Sequence, residues 1–396
     1  MAELEQMRRE YGTVLYLVAC ALDGSTPDAD IAGAVSADRL LALASRHSLE
    51  ALVCHALERI GGATAAMQEA KNLSIRRIML FDRARSEIFS ALESAGIAYM
   101  PLKGVILKDL YPFIGLRQMT DNDILFDIKR RAQVKKIMVS LGYTVEVYSR
   151  ENHDIYVKAP IYNFEMHVSL FGSGSHRTMA RYFDDVLDRA ERMPSTEYGR
   201  VMSDEDFYLH VKAHEYRHYT GGGTGLRSLC DTYVFRKARF GKIDKEKVAA
   251  GLDALGLTEF DEQTTALAEK MFSPETRDSL AEYLRGGEDY LSARERELLD
   301  FYSTSGAYGF LDVFVRNDFA AFSAGKTNAS SKLRYVLNRI FPPVEFYKEA
   351  APIVYKYKVL IPFYCLVRFL RAVFTKPGNL IGQLRTLHKV GKDEKK

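Results

Sequence analysis

The chain has 396 residues, a length that suits two or three domains and a large buried core. Its 47% hydrophobic and 27% charged content excludes wholesale disorder and a membrane-embedded body, and 55 Lys and Arg against 52 Asp and Glu leave a formal charge of +3, too balanced for composition to argue for nucleic acid. Cys20, Cys54, Cys230 and Cys365 stand far apart without a C-x-x-C pair, which speaks against a disulfide framework or a Cys-based zinc site and fits a reducing cytoplasm.

In chain order, the apolar run Val14 to Leu22 follows Arg8 and Arg9 as a signal-peptide core would. Glu3, Glu5 and Glu10 spoil the basic leader, however, and Asp23 occupies the place of a small-residue cleavage site. The run reads as a buried helix. Leu40, Leu41, Leu43 and Ala44, then Leu49, Leu52 and Val53, keep a period near 3.6 with Ser36 as N-cap, so residues 1–95 are expected to be helical. Near Gly96 the period changes. Ile97 to Leu102, Asn122 to Ile128, Tyr143 to Tyr148, Ile155 to Lys158 and Asn163 to Leu170 read as strands, and Gly104 to Tyr111 and Lys129 to Leu141 as helices. Residues 96–190 thus form an α/β or α+β unit, punctuated by Gly172, Ser173, Gly174 and Ser175. Helical patterns return over residues 191–345, broken by Gly221-Gly222-Gly223 and Pro342-Pro343. Residues 346–396 make an aromatic, basic segment with a charged tail from Lys392 to Lys396. Its apolar run, Val359 to Val367, is far short of the ~20 residues a spanning helix needs.

The most informative stretch is Thr120-Asp121-Asn122-Asp123-Ile124-Leu125-Phe126, read with Asn163-Phe164-Glu165-Met166-His167-Val168. Strand alternation projects Asp121 and Asp123 to one side, roughly 7 Å apart at ~3.3 Å per residue. Phe164, Met166, Val168 and Leu170 share an apolar face, which leaves Glu165, His167 and Ser169 on the other. If the two strands are neighbours, three carboxylates meet. They repel unless one is protonated or a cation neutralises them, and hard oxygen donors favour Mg²⁺ or Mn²⁺. Asp123→Asn is then expected to relieve repulsion in the metal-free protein. For D-x-D alone, the plainer reading is the polar face of an edge strand.

The flanking residues add a resemblance. Pro101-Leu102-Lys103-Gly104, Arg117 four residues before Asp121, Asp121-x-Asp123 and Phe164-Glu165-Met166-His167 together resemble the uncharacterised nucleotidyltransferase family of the DNA polymerase beta superfamily. Arg46-His47, the segment from Leu209-His210 to Asp231, and Arg339-Ile340-Phe341-Pro342 extend the likeness over most of the chain. It implies an α+β fold, a mixed-sheet nucleotidyltransferase core embedded between helical regions. It also implies a Mg²⁺-dependent enzyme, with two ions and Mn²⁺ as a substitute, that transfers a nucleoside monophosphate from an NTP such as ATP to a hydroxyl of a protein, an RNA end or a small molecule. Asp121 and Asp123 match the paired metal-binding carboxylates and Glu165 the third. Lys103 and Gly104 stand where the wider superfamily has Gly-Ser, so backbone approach to phosphate is kept, the hydroxyl is lost and Lys103 supplies charge. Arg117 either contacts the triphosphate or holds Asp121 or Asp123 through a salt bridge. His167 either reaches nucleotide or acceptor or is a satisfied structural histidine.

One competing signal is His214-Glu215-Tyr216-Arg217-His218, a literal H-E-x-x-H. On a helix it offers two His ligands and a general base, as in zinc peptidases. Thr224 replaces the third His of the extended motif, and Arg217 puts a charge inside it. His210, His214 and His218 do line one helix face, and Arg227 with Asp231 is expected as a partly buried pair. A zinc peptidase is therefore one alternative, and a degenerate nucleotidyltransferase kept as a binding or antidote protein is another. The segment from Tyr355 onward interleaves aromatic with basic residues, a composition suited to RNA or an anionic membrane surface, or to packing with its charges solvated.

Overall fold

The computed structural model describes residues 2–149, 152–172, 176–306, 329–344 and 351–375, together with 315, 319, 322–323, 346–347, 382–383 and 385–387. Ser173, Gly174 and Ser175 of the expected punctuation, and the tail from Lys392 to Lys396, lie outside the described residues. The chain forms two compact units, residues 1–217 with 225–307 and residues 218–224 with 308–396.

The first unit opens with helices α1 (Ala2–Asp23), α2 (Ala29–Gly33), α3 (Ala37–Arg46), α4 (Glu50–Glu58) and α5 (Ala65–Ser94). The apolar run Val14 to Leu22 is buried throughout, as its composition requires. Ser36 caps α3 by accepting the Arg39 N–H, and Thr64 caps α5 by accepting that of Met67. The long α5 is the platform for the sheet, because it buries Phe81, Ile88 and Leu92 along one side.

Five strands follow: β1 (Tyr99–Pro101), β2 (Asn122–Phe126), β3 (Thr144–Val147), β4 (His153–Lys158) and β5 (Tyr162–His167). Their order is β1-β2-β5-β4-β3. The pair β2 and β5 is parallel, and the other neighbours are antiparallel. Helix α6 (Gly104–Leu107) follows β1, and α7 (Arg131–Ser140) lies between β2 and β3. Strand alternation sorts the side chains. Ile124, Phe126, Tyr156, Phe164 and Met166 enter one core with Ile88 and Leu92 of α5 and Val134 and Met138 of α7. Asp123, Leu125, His153, Glu165 and His167 are left on the opposite face.

That second face borders the helical half. Helices α8 (Arg177–Tyr182) and α9 (Val186–Arg189) and the short hairpin of β6 (Glu191–Arg192) and β7 (Arg200–Val201) come first. Then follow α10 (Asp204–Thr220), α11 (Leu226–Arg239), α12 (Lys245–Leu255), α13 (Thr258–Phe272), α14 (Pro274–Leu284) and α15 (Ala293–Ser305). Leu125 joins Leu170, Phe171, Phe183, Leu209, Phe235 and Leu252 in a core that ties sheet to helices. The architecture is therefore α+β, with a mixed sheet set between helical regions.

The second unit contains α16 (Ala329–Ile340), α17 (Pro352–Lys356) and α18 (Ile361–Thr375). Tyr347, Val354 and Cys365 form one small core and Val315, Phe319, Tyr335 and Leu387 another. No helix among the described residues is long and apolar enough to cross a membrane.

Candidate active site

The site begins where β1 gives way to α6. The Leu102 N–H donates to the Asp123 carbonyl at 3.0 Å, which docks the turn on β2. Lys103 then takes φ 41° and ψ −112°, a left-handed conformation that costs a non-glycine residue roughly 1–3 kcal/mol. It carries the Lys103 ammonium to 3.2 Å from Asp123 Oδ1. Gly104 is required next, because a Cβ there would stand 2.6 Å from Arg117 Nη1.

The parallel register sets Asp123 directly beside Glu165, and the antiparallel register sets His153 opposite His167. His167 Nε2 lies 2.7 Å from Asp123 Oδ1 and 3.6 Å from Glu165 Oε2. His153 Nε2 lies 3.7 Å from the same Glu165 oxygen. Asp121 stands one residue before β2, half-buried.

Electrostatics distinguish the three carboxyls. Burial, reinforced by the charges of Asp123 and Glu165, pushes Asp121 up to about 6. Burial works against ionisation of Asp123 as well, but the Lys103 ammonium and the His167 hydrogen bond overcome it and hold this carboxyl well below its ordinary range. Glu165 is also buried and still shifts down, chiefly through the His167 imidazole 3.6 Å away. His167 shifts up despite complete burial, because Asp123 and Glu165 favour its charged form. Three carboxylates thus face the Lys103 ammonium, the imidazoles of His167 and His153 and, at Asp121, the charge of Arg227. The mutual repulsion that still raises Asp121, together with the oxygen donors, suits a divalent cation, whose presence removes the penalty on ionising Asp121.

Lys103, Asp123, Glu165 and His167 are brought together, with Asp121 electrostatically part of the same group. Arg117 goes elsewhere. Its Nε and Nη2 lie 2.7 and 2.8 Å from the two oxygens of Asp231, which also accepts from Tyr111 Oη at 2.8 Å. The carboxylate that Arg117 holds is therefore Asp231, the residue expected to pair with Arg227, and not Asp121 or Asp123. Arg227 Nη1 donates to the Gln118 carbonyl at 3.3 Å. Nη1 of Arg117 rests against Gly104, so the ion pair still bears on the Lys-Gly turn.

His153 escaped the sequence reading. The alternation His153-Asp154-Ile155-Tyr156 carries the signal, because buried Asp154 and Tyr156 share the α7 face and Asp154 takes the Arg131 guanidinium at 2.6 Å. Extending the strand two residues toward its start puts His153 opposite His167. His210 on α10 is a further resident of this side, fully buried between Phe171 and Phe183. Neither ring nitrogen has a hydrogen-bond partner among the described residues. Burial, aided by the Lys103 charge, drives its basicity well below that of an ordinary histidine, so it stays neutral.

The H-E-x-x-H helix has a different environment. Both oxygens of Glu215 are committed, one to Lys212 Nζ at 2.7 Å and the other to Tyr302 Oη at 2.6 Å. Lys212 is fully buried and also meets Thr264 Oγ1 at 2.7 Å and Asp261 at 3.8 Å. A general base locked between a lysine and a tyrosine cannot serve a zinc-bound water. Among the described residues, the grouping of donors spaced for a metal is His153, Glu165 and His167 instead.

The model of the family described as uncharacterised nucleotidyltransferase matches residues 33–273, more than half of the chain. No curated protein matches. Among solved structures, the antibiotic-resistance factor ANT(2'')-Ia is similar at 11% identity over 52% of this chain and 96% of that one, with a TM-score of 0.25, too loose a likeness to carry an argument.

Proposed function

Because this chain belongs to the uncharacterised nucleotidyltransferase family, we propose that it transfers a nucleoside monophosphate from an NTP to a hydroxyl acceptor, with release of pyrophosphate. The observation that carries this reading is the convergence of Asp121, Asp123 and Glu165, in which Asp121 is held up to about 6 by burial and by the other two carboxylates. Such a group is poised for cations. Asp121 and Asp123 would hold them together with the triphosphate, and Glu165 would complete the set.

Mg²⁺ or Mn²⁺ bound there neutralises charge on the triphosphate and lowers the pKa of the attacking hydroxyl. Lys103 meets phosphate charge from the turn. Gly104 lets the backbone come close, and the Arg117–Asp231 pair keeps that turn in place. Glu165, shifted down by the neighbouring His167, would either hold the ion that lowers the pKa of the acceptor hydroxyl or accept its proton. His167 steadies Asp123 and Glu165 between turnovers. The four cysteines are free and buried, which supports a reducing cytoplasmic setting.

Thermal unfolding with each of the four NTPs, with and without Mg²⁺, tests the reading. At least one NTP should raise the midpoint only when Mg²⁺ is present, since a ligand that binds the native state alone stabilises it. Stabilisation by Zn²⁺ alone, with no response to any NTP, would contradict it.

A partner surface is proposed for the second unit. Residues 352–392 carry eight Lys and Arg and no Asp or Glu, and Ile353, Val359, Phe363, Leu366 and Val367 are all exposed. Basic charge beside unpartnered apolar residues supports docking on an anionic lipid surface. Cosedimentation with phosphatidylglycerol-containing vesicles, and not with neutral phosphatidylcholine vesicles, is the expected result.

A further inference from the structure

The cation-binding face of the sheet is not chemically uniform. Its Asp121 and Asp123 corner offers carboxylate oxygen, whereas the Glu165 corner is flanked by two imidazoles. We infer that His153, Glu165 and His167 form a single ion site of mixed nitrogen and oxygen character that selects a borderline divalent ion, of the Mn²⁺ type, over Mg²⁺. The inference deepens the nucleotidyl-transfer reading and rests on it for what the ion does, but not for whether the ion binds.

Geometry carries it. One donor atom from each residue lies within 4.8 Å of the other two, and Glu165 Oε2 is 3.6 Å from His167 Nε2 and 3.7 Å from His153 Nε2. Donors bonded to one ion at about 2.1 Å stand roughly 3.0–3.4 Å apart, so the two Glu165–histidine separations close by a few tenths of an ångström, and the two imidazoles, whose donors lie within 4.8 Å, swing together over the ion. The backbone sets this up, since His153 and His167 are directly paired across β4 and β5, with ring centroids 5.1 Å apart. Glu165 lies two residues from His167 on the same face, and an ion bound there displaces the proton through which His167 Nε2 holds Asp123 Oδ1 at 2.7 Å.

The outer contacts orient the ligands. His153 Nδ1 meets Asn152 Oδ1 at 3.4 Å, and Asn152 Nδ2 in turn donates to the Ser169 carbonyl at 3.1 Å. With the ring hydrogen on Nδ1, Nε2, 3.7 Å from Glu165 Oε2, is the nitrogen that carries the lone pair for an ion. The side chains of His153 and Glu165 keep 20% and 23% of their exposure, so an ion can enter from solvent. Two imidazoles are poor ligands for Mg²⁺, which prefers oxygen, and good ones for Mn²⁺, Co²⁺ or Zn²⁺.

Pulsed electron paramagnetic resonance on the full chain loaded with Mn²⁺, without nucleotide, tests this directly. The expected spectrum shows ¹⁴N modulation from coordinated imidazole that persists in tenfold excess Mg²⁺. In His153→Gln the modulation should fall to that of one imidazole, with Mn²⁺ affinity reduced at least about tenfold in equilibrium dialysis. Glu165→Gln is the second variant and should lose most Mn²⁺ binding. Nitrogen modulation that is absent, displaced by Mg²⁺ or unchanged in His153→Gln would overturn the inference. An NTP response that depends on Mg²⁺ but comes without nitrogen coordination would sink this inference alone. Nitrogen coordination without any NTP response would sink the functional reading instead.

Discussion

Two buried charged clusters in this chain have motif-like sequences, and their surroundings separate them. On the sheet, Asp121, Asp123 and Glu165 share Lys103 and His167, and burial together with the other two carboxylates still raises Asp121 to about 6. On the helices, Lys212 is matched by Glu215, Thr264 and Asp261, and Glu215 is completed by Tyr302. The first cluster stores repulsion that a ligand can relieve. The second is satisfied and has no capacity left. Chemistry follows carboxylates that repel one another, and a cluster whose donors and acceptors are paired, however suggestive its spelling, reads as structure.

The sharpest way to break this contrast is Asp123→Asn. Loss of several kcal/mol of transition-state stabilisation predicts a fall in transfer rate of roughly a thousandfold or more. A loss under tenfold would move Asp123 out of the catalytic group.

Glu215→Ala should act through the fold instead. It leaves Lys212 buried without its nearest carboxylate, a change expected to cost about 3–5 kcal/mol of stability. Denaturant unfolding measures it, and the remaining folded protein should keep its Mg²⁺-dependent NTP response. Unchanged stability would mean that Asp261 alone satisfies the lysine.

Asp121→Asn sharpens the comparison through pH. A carboxyl whose folded pKa lies above its unfolded value makes the native state bind more protons, so stability falls as pH rises from about 4 through about 6. The amide lacks this penalty. Its unfolding midpoint should exceed that of the wild type above pH 6, and the gap should close toward pH 4. A gap independent of pH would remove Asp121 from the repelling set. The relief expected from the sequence for Asp123→Asn thus belongs to Asp121, because Asp123 has Lys103 and His167 as partners.

The smallest effect expected is that of Gly104→Ala. The added Cβ meets Arg117 Nη1 and must push a guanidinium already fixed on Asp231, at a cost of about 1–2 kcal/mol. NTP binding should weaken with it. Unchanged stability and binding would show that the turn does not depend on the Arg117–Asp231 pair.

Local patterns made much of this readable in advance. Alternation in Asn122–Phe126 and Tyr162–His167 separates the apolar residues from Asp123, Glu165 and His167, and a period of 3.6 marks the helical lead-in through Ser36 and Leu40. What the sequence hid depends on distance along the chain. Arg117 finds Asp231 at a separation of 114 residues, and Lys212 finds Thr264 at 52, so no window could show that the first is taken or that the second disarms Glu215. His153 was hidden for another reason. It opens β4 next to Asp154, and two polar residues in succession look like loop until the Arg131 partner of Asp154 is known.

The most direct test is label transfer from NTP in an extract that supplies the acceptor, comparing α-phosphorus with γ-phosphorus label. Nucleotidyl transfer predicts acid-stable incorporation of the α label, none of the γ label, and loss of incorporation in Asp123→Asn but not in Glu215→Gln. Incorporation of the γ label, or equal α incorporation by the wild type and Asp123→Asn, would contradict it.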